Sequence, residues 1–154
     1  NVFGPHPEAI RDIVHRTVKY RKMAHSAEDI TSLILSKEYG IPIPDLHSDV
    51  KHGFVIGFTR PPGIDLRKLE AEVRDFIARD LPIAPADEDH IRIGDEVIAC
   101  TGVRTHVAST GQIESFRLLP ELRFNPIDQE HLLVGIVGDQ REEAGFDGIL
   151  KIAG

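Results

Sequence analysis

Two groups of residues in the sequence are of types that could carry out chemistry. Cys100 and His106 lie six positions apart, and a thiol beside an imidazole can act as an activated nucleophile. The segment HSDVKH supplies His47, Asp49 and His52, which are metal-ligand types. Residues six positions apart on one helix or strand rarely converge, and a histidine spacing of five is not a standard zinc signature. These patterns therefore predict a small buried side chain at the lone cysteine and a polar loop around the histidines.

The motifs of several common enzyme classes are absent from the sequence. There is no GxxxxGK[ST] phosphate loop, no GxGxxG dinucleotide-binding turn, no HExxH and no GxSxG. We therefore predict no catalytic residue, no cofactor and no bound metal. The same reasoning predicts that the chain does not hydrolyse ATP and that a chelator leaves its melting temperature unchanged.

Composition and charge narrow the classes of partner. The chain has 154 residues and a formal net charge of −7, and its densest basic stretch, HRTVKYRK at 15–22, places its charges on one face of a helix. Nucleic-acid binding usually needs a more concentrated basic surface, so we predict no nucleic-acid partner. No apolar run approaches the ~20 residues that span a bilayer, so we predict no membrane partner. A single cysteine offers no disulfide framework, which favours the cytoplasm.

Apolar periodicity and capping residues predict where helices lie. Ser26 and Asp65 are suitable N-cap residues, and Gly40 is a suitable helix end. Helices are predicted over residues 8–23, 27–38, 65–79 and 128–137. The predicted core contains Ile34, Leu69, Val73, Leu133 and Ile136.

Three short apolar segments are compatible with strands as well as helices. Residues 53–58, 91–99 and 131–137 are rich in β-branched and aromatic side chains or are too short for periodicity to decide. The Pro-rich acidic segment 81–89 is the predicted internal boundary.

Two short segments, one in each half of the chain, have weakly similar sequences. EDITSLIL, which begins at Glu28, aligns with EHLLVGIV, which begins at Glu130. The longer stretch NPIDQEHLLVGIV resembles the motif of the N-terminal (Clp repeat) domain of Clp-type AAA+ unfoldases, in which a helix begins at Glu-His. GIDLRKLEAEVRDFI resembles the helix that closes the first repeat of that family. The first block departs from the motif, because it has Asp29 where the family has histidine.

The resemblance implies a mostly α fold made of two degenerate four-helix repeats in a pseudo-two-fold arrangement. The repeats would be residues 1–80 and 90–154 of a single domain, 1–154, joined by the loop 81–89. It also implies a non-catalytic domain that recognises client or adaptor proteins, in part through arginine or phosphoarginine groups. The ligand-binding residues would be Glu130, His131, Glu28 and Asp29, at helix N-termini where a carboxylate can receive a guanidinium.

Two alternatives remain open at this stage. The chain could be a small α+β domain with an antiparallel sheet, with Cys100, His106 or the loop of His47 and His52 as the place for an enzyme active site. It could also be a dimerisation domain, since its apolar C-terminal segment could form a homodimer contact.

Overall fold

The chain has an α+β fold in which two helices accompany two antiparallel sheets. The computed structural model describes residues 7–41, 47–50, 53–100 and 102–138, with side chains for 19–41, 53–100 and 102–138. In these ranges the helices are α1 (Pro7–Tyr39) and α2 (Leu66–Ala78), and a short 3-10 helix spans Thr110–Gln112. The strands are β1 (His47–Val50), β2 (Gly53–Phe58), β3 (Ile83–Pro85), β4 (His90–Ile93), β5 (Glu96–Ala99), β6 (Arg117–Leu118), β7 (Arg123–Asn125) and β8 (Glu130–Ile136).

The larger sheet is organised around β8. Its order is β1–β2–β8–β6, and β7 pairs with β8 beside β6. On one edge β8 pairs with β2 from Gly53–Ile136 to Phe58–His131, and on the other edge it pairs with β6 and then β7. The smaller sheet has the order β3–β4–β5. Every strand pairing in both sheets of the described ranges is antiparallel.

The predicted architecture of two four-helix repeats is therefore wrong. Residues 128–137 were expected to form a helix that begins at Glu130, but Glu130–Ile136 is a strand with backbone partners on both edges. A short apolar run fits a buried strand as well as a helix, and neighbouring strands decide between them. Residues 83–85 of the predicted linker 81–89 form β3, so this segment does not join two helical repeats.

The helix predictions in the first half of the chain are partly correct. The break expected before Ser26 is absent, and one helix of 33 residues runs from Pro7 to Tyr39. No proline or glycine after Pro7 interrupts it, so the helix continues until Gly40, whose φ of 65° suits a helix end. The predicted cap of α2 is confirmed, because the Asp65 side chain accepts hydrogen bonds from the backbone N–H groups of residues 67 and 68. Neither helix is long and apolar enough to cross a membrane.

The core lies between the helices and one face of the larger sheet. Helix α1 contacts β2 and β8, and α2 contacts β6. The Phe54 ring lies over Gly135, its partner across β2 and β8. A Cβ atom at Gly135 would lie 2.3 Å from that ring, so glycine is required for this contact. All five predicted core residues are buried: Ile34, Leu69, Val73, Leu133 and Ile136.

A buried carboxylate joins α2 to the larger sheet. Glu70 accepts a hydrogen bond from the backbone N–H of Leu118 in β6 at 2.8 Å. Its side chain is 10% exposed and also lies 3.7 Å from Arg67 and 3.6 Å from Arg74. The side chain therefore satisfies a backbone donor that would otherwise be buried without a partner.

We predict that Glu70→Ala lowers the free energy of unfolding by about 1.5–3 kcal/mol, because it removes a charge-assisted hydrogen bond to a buried N–H group. Asp75→Ala is the matched control on the same helix. Its ion pair with Arg79 joins two exposed side chains at 3.1 Å, so the control should cost less than about 1 kcal/mol. Urea unfolding measures both values. Equal losses in the two variants would contradict a specific role for Glu70.

Candidate metal centre

Helix α1 places two potential ligands on one face. His25 and Asp29 are one helical turn apart, so their side chains lie side by side. The His25 Nε2 atom is 3.6 Å from the Asp29 Oδ2 atom, and the two side chains are only 11% and 9% exposed. An uninterrupted helix at this position is therefore what brings the pair together.

The loop after β5 supplies two further side chains. The Cys100 N–H donates to the Asp89 carbonyl at 2.8 Å, which fixes the backbone at the start of the loop. The Thr105 N–H donates to the Gly102 carbonyl at 3.0 Å, and this turn brings His106 back toward Cys100. A Cβ atom at Gly102 would lie 2.9 Å from the His25 ring, so this residue needs to be small for the loop to approach α1.

Four side-chain atoms converge where this loop meets α1. The group consists of His25, Asp29, Cys100 and His106, and its four ligand atoms all lie within 4.8 Å of one another. The Cys100 Sγ atom is 3.3 Å from Asp29 Oδ2, 3.3 Å from His106 Nε2 and 3.6 Å from His25 Nε2. The His106 Nε2 atom is 3.2 Å from Asp29 Oδ2. The group thus contains one sulfur, two imidazole nitrogens and one carboxylate oxygen.

The outer nitrogens of both imidazoles have hydrogen-bond partners. The His25 Nδ1 atom is 2.9 Å from the Thr105 carbonyl oxygen, which can only accept, so this nitrogen carries the proton. In the neutral ring the Nε2 atom then carries the lone pair. The His106 Nδ1 atom is 2.9 Å from the Ser26 hydroxyl oxygen, which also accepts from the Val107 N–H at 3.1 Å. Partners of this kind orient histidine ligands in metal sites.

Burial shifts the pKa values of the group away from those of a cysteine nucleophile. Burial and the Asp29 carboxylate raise the pKa of the Cys100 thiol to about 12. Burial, together with the neighbouring His25, lowers the pKa of His106 to about 3. A thiolate–imidazolium pair needs the opposite shifts, a lower cysteine pKa and a higher histidine pKa. These shifts favour a neutral thiol at Cys100 and a neutral imidazole at His106.

Five of the six distances between the ligand atoms fit a tetrahedral metal ion. Zinc binds nitrogen or oxygen at about 2.0 Å and sulfur at about 2.3 Å, which separates tetrahedral ligand atoms by roughly 3.3–3.6 Å. Those five separations run from 3.2 to 3.6 Å, and the sixth, between the two imidazole nitrogens, is within 4.8 Å. A divalent cation would also stabilise the thiolate form of Cys100, because a coordinated thiol loses its proton.

The predicted ligand-binding residues fall at two separate places. Glu130 and His131 are the first residues of β8, so they do not begin a helix as predicted. His131 pairs with Phe58 across the sheet, and its ring lies 5.1 Å from that of Phe124. Recognition of client proteins stays a prediction, without the helix N-terminus that motivated it.

The second pair lies in the middle of α1. Glu28 and Asp29 are 2% and 6% exposed, so neither marks a helix start. Asp29 was predicted to bind a ligand at a helix N-terminus. It belongs instead to the four-residue group with His25, Cys100 and His106. The six-residue spacing of Cys100 and His106 predicts that they do not converge, but the turn at Gly102 brings their side chains together.

The remaining candidate loop gives no site in the described residues. His52 lies outside them, and His47 and Asp49 lie in β1, whose side chains are not described. His25 was not identified from the sequence at all. The i, i+4 spacing of His25 and Asp29 would place both side chains on one helix face. This spacing is informative only if α1 continues through Ser26, as it does in the structure.

The group borders an open cleft. His106 lines a cavity of about 560 Å³ together with residues of α1, β3 and the segment 103–112. This volume lies within the range of ligand-binding sites in proteins. No protein-family model matches the chain, and a search of curated proteins also finds no match.

Proposed function

We propose that this chain binds one zinc ion through His25, Asp29, Cys100 and His106 and is a hydrolase that cleaves acyl bonds at that centre. The observation that carries the proposal is the convergence of four potential ligand atoms, all within 4.8 Å of one another, beside an open cleft. This proposal replaces the sequence-based expectation of no metal, which considered the histidines of 47–52 and not this group.

Zinc is the metal that best suits the ligand set. One thiolate and two imidazoles in a tetrahedral arrangement are typical zinc ligands, whereas calcium and magnesium prefer shells of oxygen atoms. The His25 Nδ1–H group donates to the Thr105 carbonyl and the His106 Nδ1 atom hydrogen-bonds with the Ser26 hydroxyl, which leaves both Nε2 atoms facing the other members of the group. The two rings stack with their centroids 4.2 Å apart and an interplanar angle of 21°, so at least one ring must rotate for both Nε2 lone pairs to meet one metal ion.

The composition and position of the group favour catalysis over a purely structural role. Structural zinc sites are mostly rich in cysteine, whereas catalytic sites rely more on histidine and keep one position for water or substrate. This group has two histidines and a single cysteine. Its fourth ligand is the Asp29 carboxylate, which can exchange with water more readily than a thiolate can.

The hydrolytic step that we propose uses water as the only co-reactant. When bound, zinc supplies a Lewis acid and lowers the pKa of a coordinated water to about 7. In the proposed step His25, Cys100 and His106 would hold the metal, and Asp29 would leave it to accept the proton of the attacking water. The water oxygen would bond to the acyl carbon as the bond from that carbon to the leaving oxygen breaks. Asp29 would then return the proton to the leaving oxygen, so the products would be an acid and an alcohol.

Zinc binding should be measurable as a gain in thermal stability. We expect one zinc ion per chain and, at free zinc 100-fold above the Kd, a stabilisation of about 2.7 kcal/mol. For a chain of this size that corresponds to a rise in melting temperature of roughly 5–10 °C, which a chelator should reverse. Differential scanning fluorimetry with metal analysis measures both quantities.

His106→Ala should lose most of this stabilisation, because it removes one ligand. His90→Ala is the matched control, since His90 is 44% exposed and pairs with Asp87 outside the group. The control should bind zinc as the wild-type chain does. If zinc stabilised all three proteins equally, or none of them, the proposed metal centre would be wrong.

The catalytic role of Asp29 is separable from metal binding. We expect Asp29→Asn to retain one zinc ion on the three remaining ligands. Its zinc-dependent hydrolysis of p-nitrophenyl acetate should fall about 100-fold or more, since proton transfer by a positioned group typically contributes that much. Asp75→Asn, an exposed carboxylate on α2, is the control and should keep full activity. If the zinc-loaded chain hydrolysed the ester no faster than free zinc does, the catalytic role would be wrong and the zinc would be structural.

A further inference from the structure

The cleft beside the metal centre has a charge opposite to that of the protein. Three basic residues line it, Lys19 and Lys22 from α1 and Arg104 from the loop after Cys100. No acidic residue lines the part of its wall that the structure describes. The whole chain carries a formal net charge of −7, so this concentration of positive charge is local.

Two of the three cations are available to a ligand. Lys19 forms an ion pair with Glu114 at 3.0 Å, in which both side chains are more than half exposed. Within the described ranges, Lys22 and Arg104 form no ion pair. Lys22 and Arg104 approach the cleft from different elements, so an anion between them could contact both.

The rest of the cleft determines how a ligand would be oriented. Ile83 and Val107 are both 7% exposed and form an apolar part of the wall, and His106 connects the wall to the metal centre. A second, smaller recess that Arg104 also lines contains Asp87 and Glu88 in its wall. Those carboxylates would repel an anion, which places the anionic group on the Lys22 side.

We propose that the cleft binds a phosphate-bearing ligand that has an apolar or ring portion, with its acyl group directed toward His106. Phosphate suits this position because it carries up to two negative charges and accepts hydrogen bonds from both lysine and arginine. The inference rests on the proposed hydrolase function for the direction of the acyl group. The phosphate contacts themselves do not require the metal.

Adenosine 5′-monophosphate is a suitable probe, because it combines a phosphate with a flat ring and contains no acyl bond. Titration calorimetry on the zinc-loaded chain should detect binding that weakens as salt increases. Adenosine, which lacks the phosphate, should bind at least about tenfold more weakly, since a charge-assisted contact is lost. The zinc-free chain should also bind the nucleotide.

Charge-neutral variants test the position of the phosphate. Lys22→Gln and Arg104→Gln should each weaken binding by about tenfold or more while retaining one zinc ion per chain. Arg79→Gln is the control, because Arg79 is an exposed cation that pairs with Asp75 and lines a different cavity, between α1 and α2. This variant should bind the nucleotide as the wild-type chain does.

The outcomes distinguish failure of this inference from failure of the proposed function. A zinc-loaded chain that does not bind the nucleotide would overturn the phosphate site and leave the metal centre intact. Equal affinity in Lys22→Gln, Arg104→Gln and Arg79→Gln would overturn it as well, since the phosphate would then lie elsewhere, for example on the zinc. A chain that binds the nucleotide but never zinc would overturn the metal centre and retain the phosphate site.

Discussion

The buried carboxylate of Asp29 must have its negative charge compensated by its neighbours. The arrangement of His25, Cys100 and His106 around it depends on this requirement. Asp29 lies in an interior group whose other members are two imidazoles and a thiol, and Glu28, also buried, adds a second negative charge nearby. Transfer of a carboxylate from water to the protein interior is costly unless the charge is paired or binds a metal. The thiol can donate only one hydrogen bond, whereas a divalent cation would compensate the carboxylate and ionise the thiol together.

The fold positions these ligands by packing a short loop after β5 against the long helix α1. Helix α1 supplies His25 and Asp29 at a spacing that helical geometry fixes, and its other side packs on the larger sheet through β2. Cys100 and His106 come from a tight loop at the end of the smaller sheet, held by the turn at Gly102. A metal ion here would therefore link the long helix to the loop of the second sheet, which explains how the centre can affect both stability and chemistry.

Local signals in the sequence were sufficient for some elements and not for others. The cap at Asp65, the end at Gly40 and the buried positions Leu69 and Val73 follow from side-chain chemistry within a few residues, and the structure has all of them. Whether residues 130–136 form a strand or a helix depends on hydrogen bonds to β2, β6 and β7. The longest of these pairings is with β2, which is distant in sequence, so an apolar run alone could not distinguish strand from helix.

The candidate site was only partly predictable for the same reason. Cys100 and His106 were recognisable as reactive types, but their convergence depends on a turn whose tightness requires Gly102 to approach His25. Ser26 was interpreted as a helix cap because serine often has that role, whereas its hydroxyl contacts His106 and Val107 across the interior. A polar side chain can cap a helix or hold a distant partner, and only the tertiary contact decides which.

The identity of the four ligands is tested most directly by X-ray absorption fine structure at the zinc edge of the zinc-loaded chain. The proposed centre predicts four-coordinate zinc with one sulfur at about 2.3 Å and three nitrogen or oxygen atoms at about 2.0 Å, two of them from imidazoles. Cys100→Ser should remove the sulfur contribution and leave the imidazole signals. A zinc ion surrounded only by oxygen and nitrogen in the wild-type chain, with no sulfur, would contradict the proposed centre.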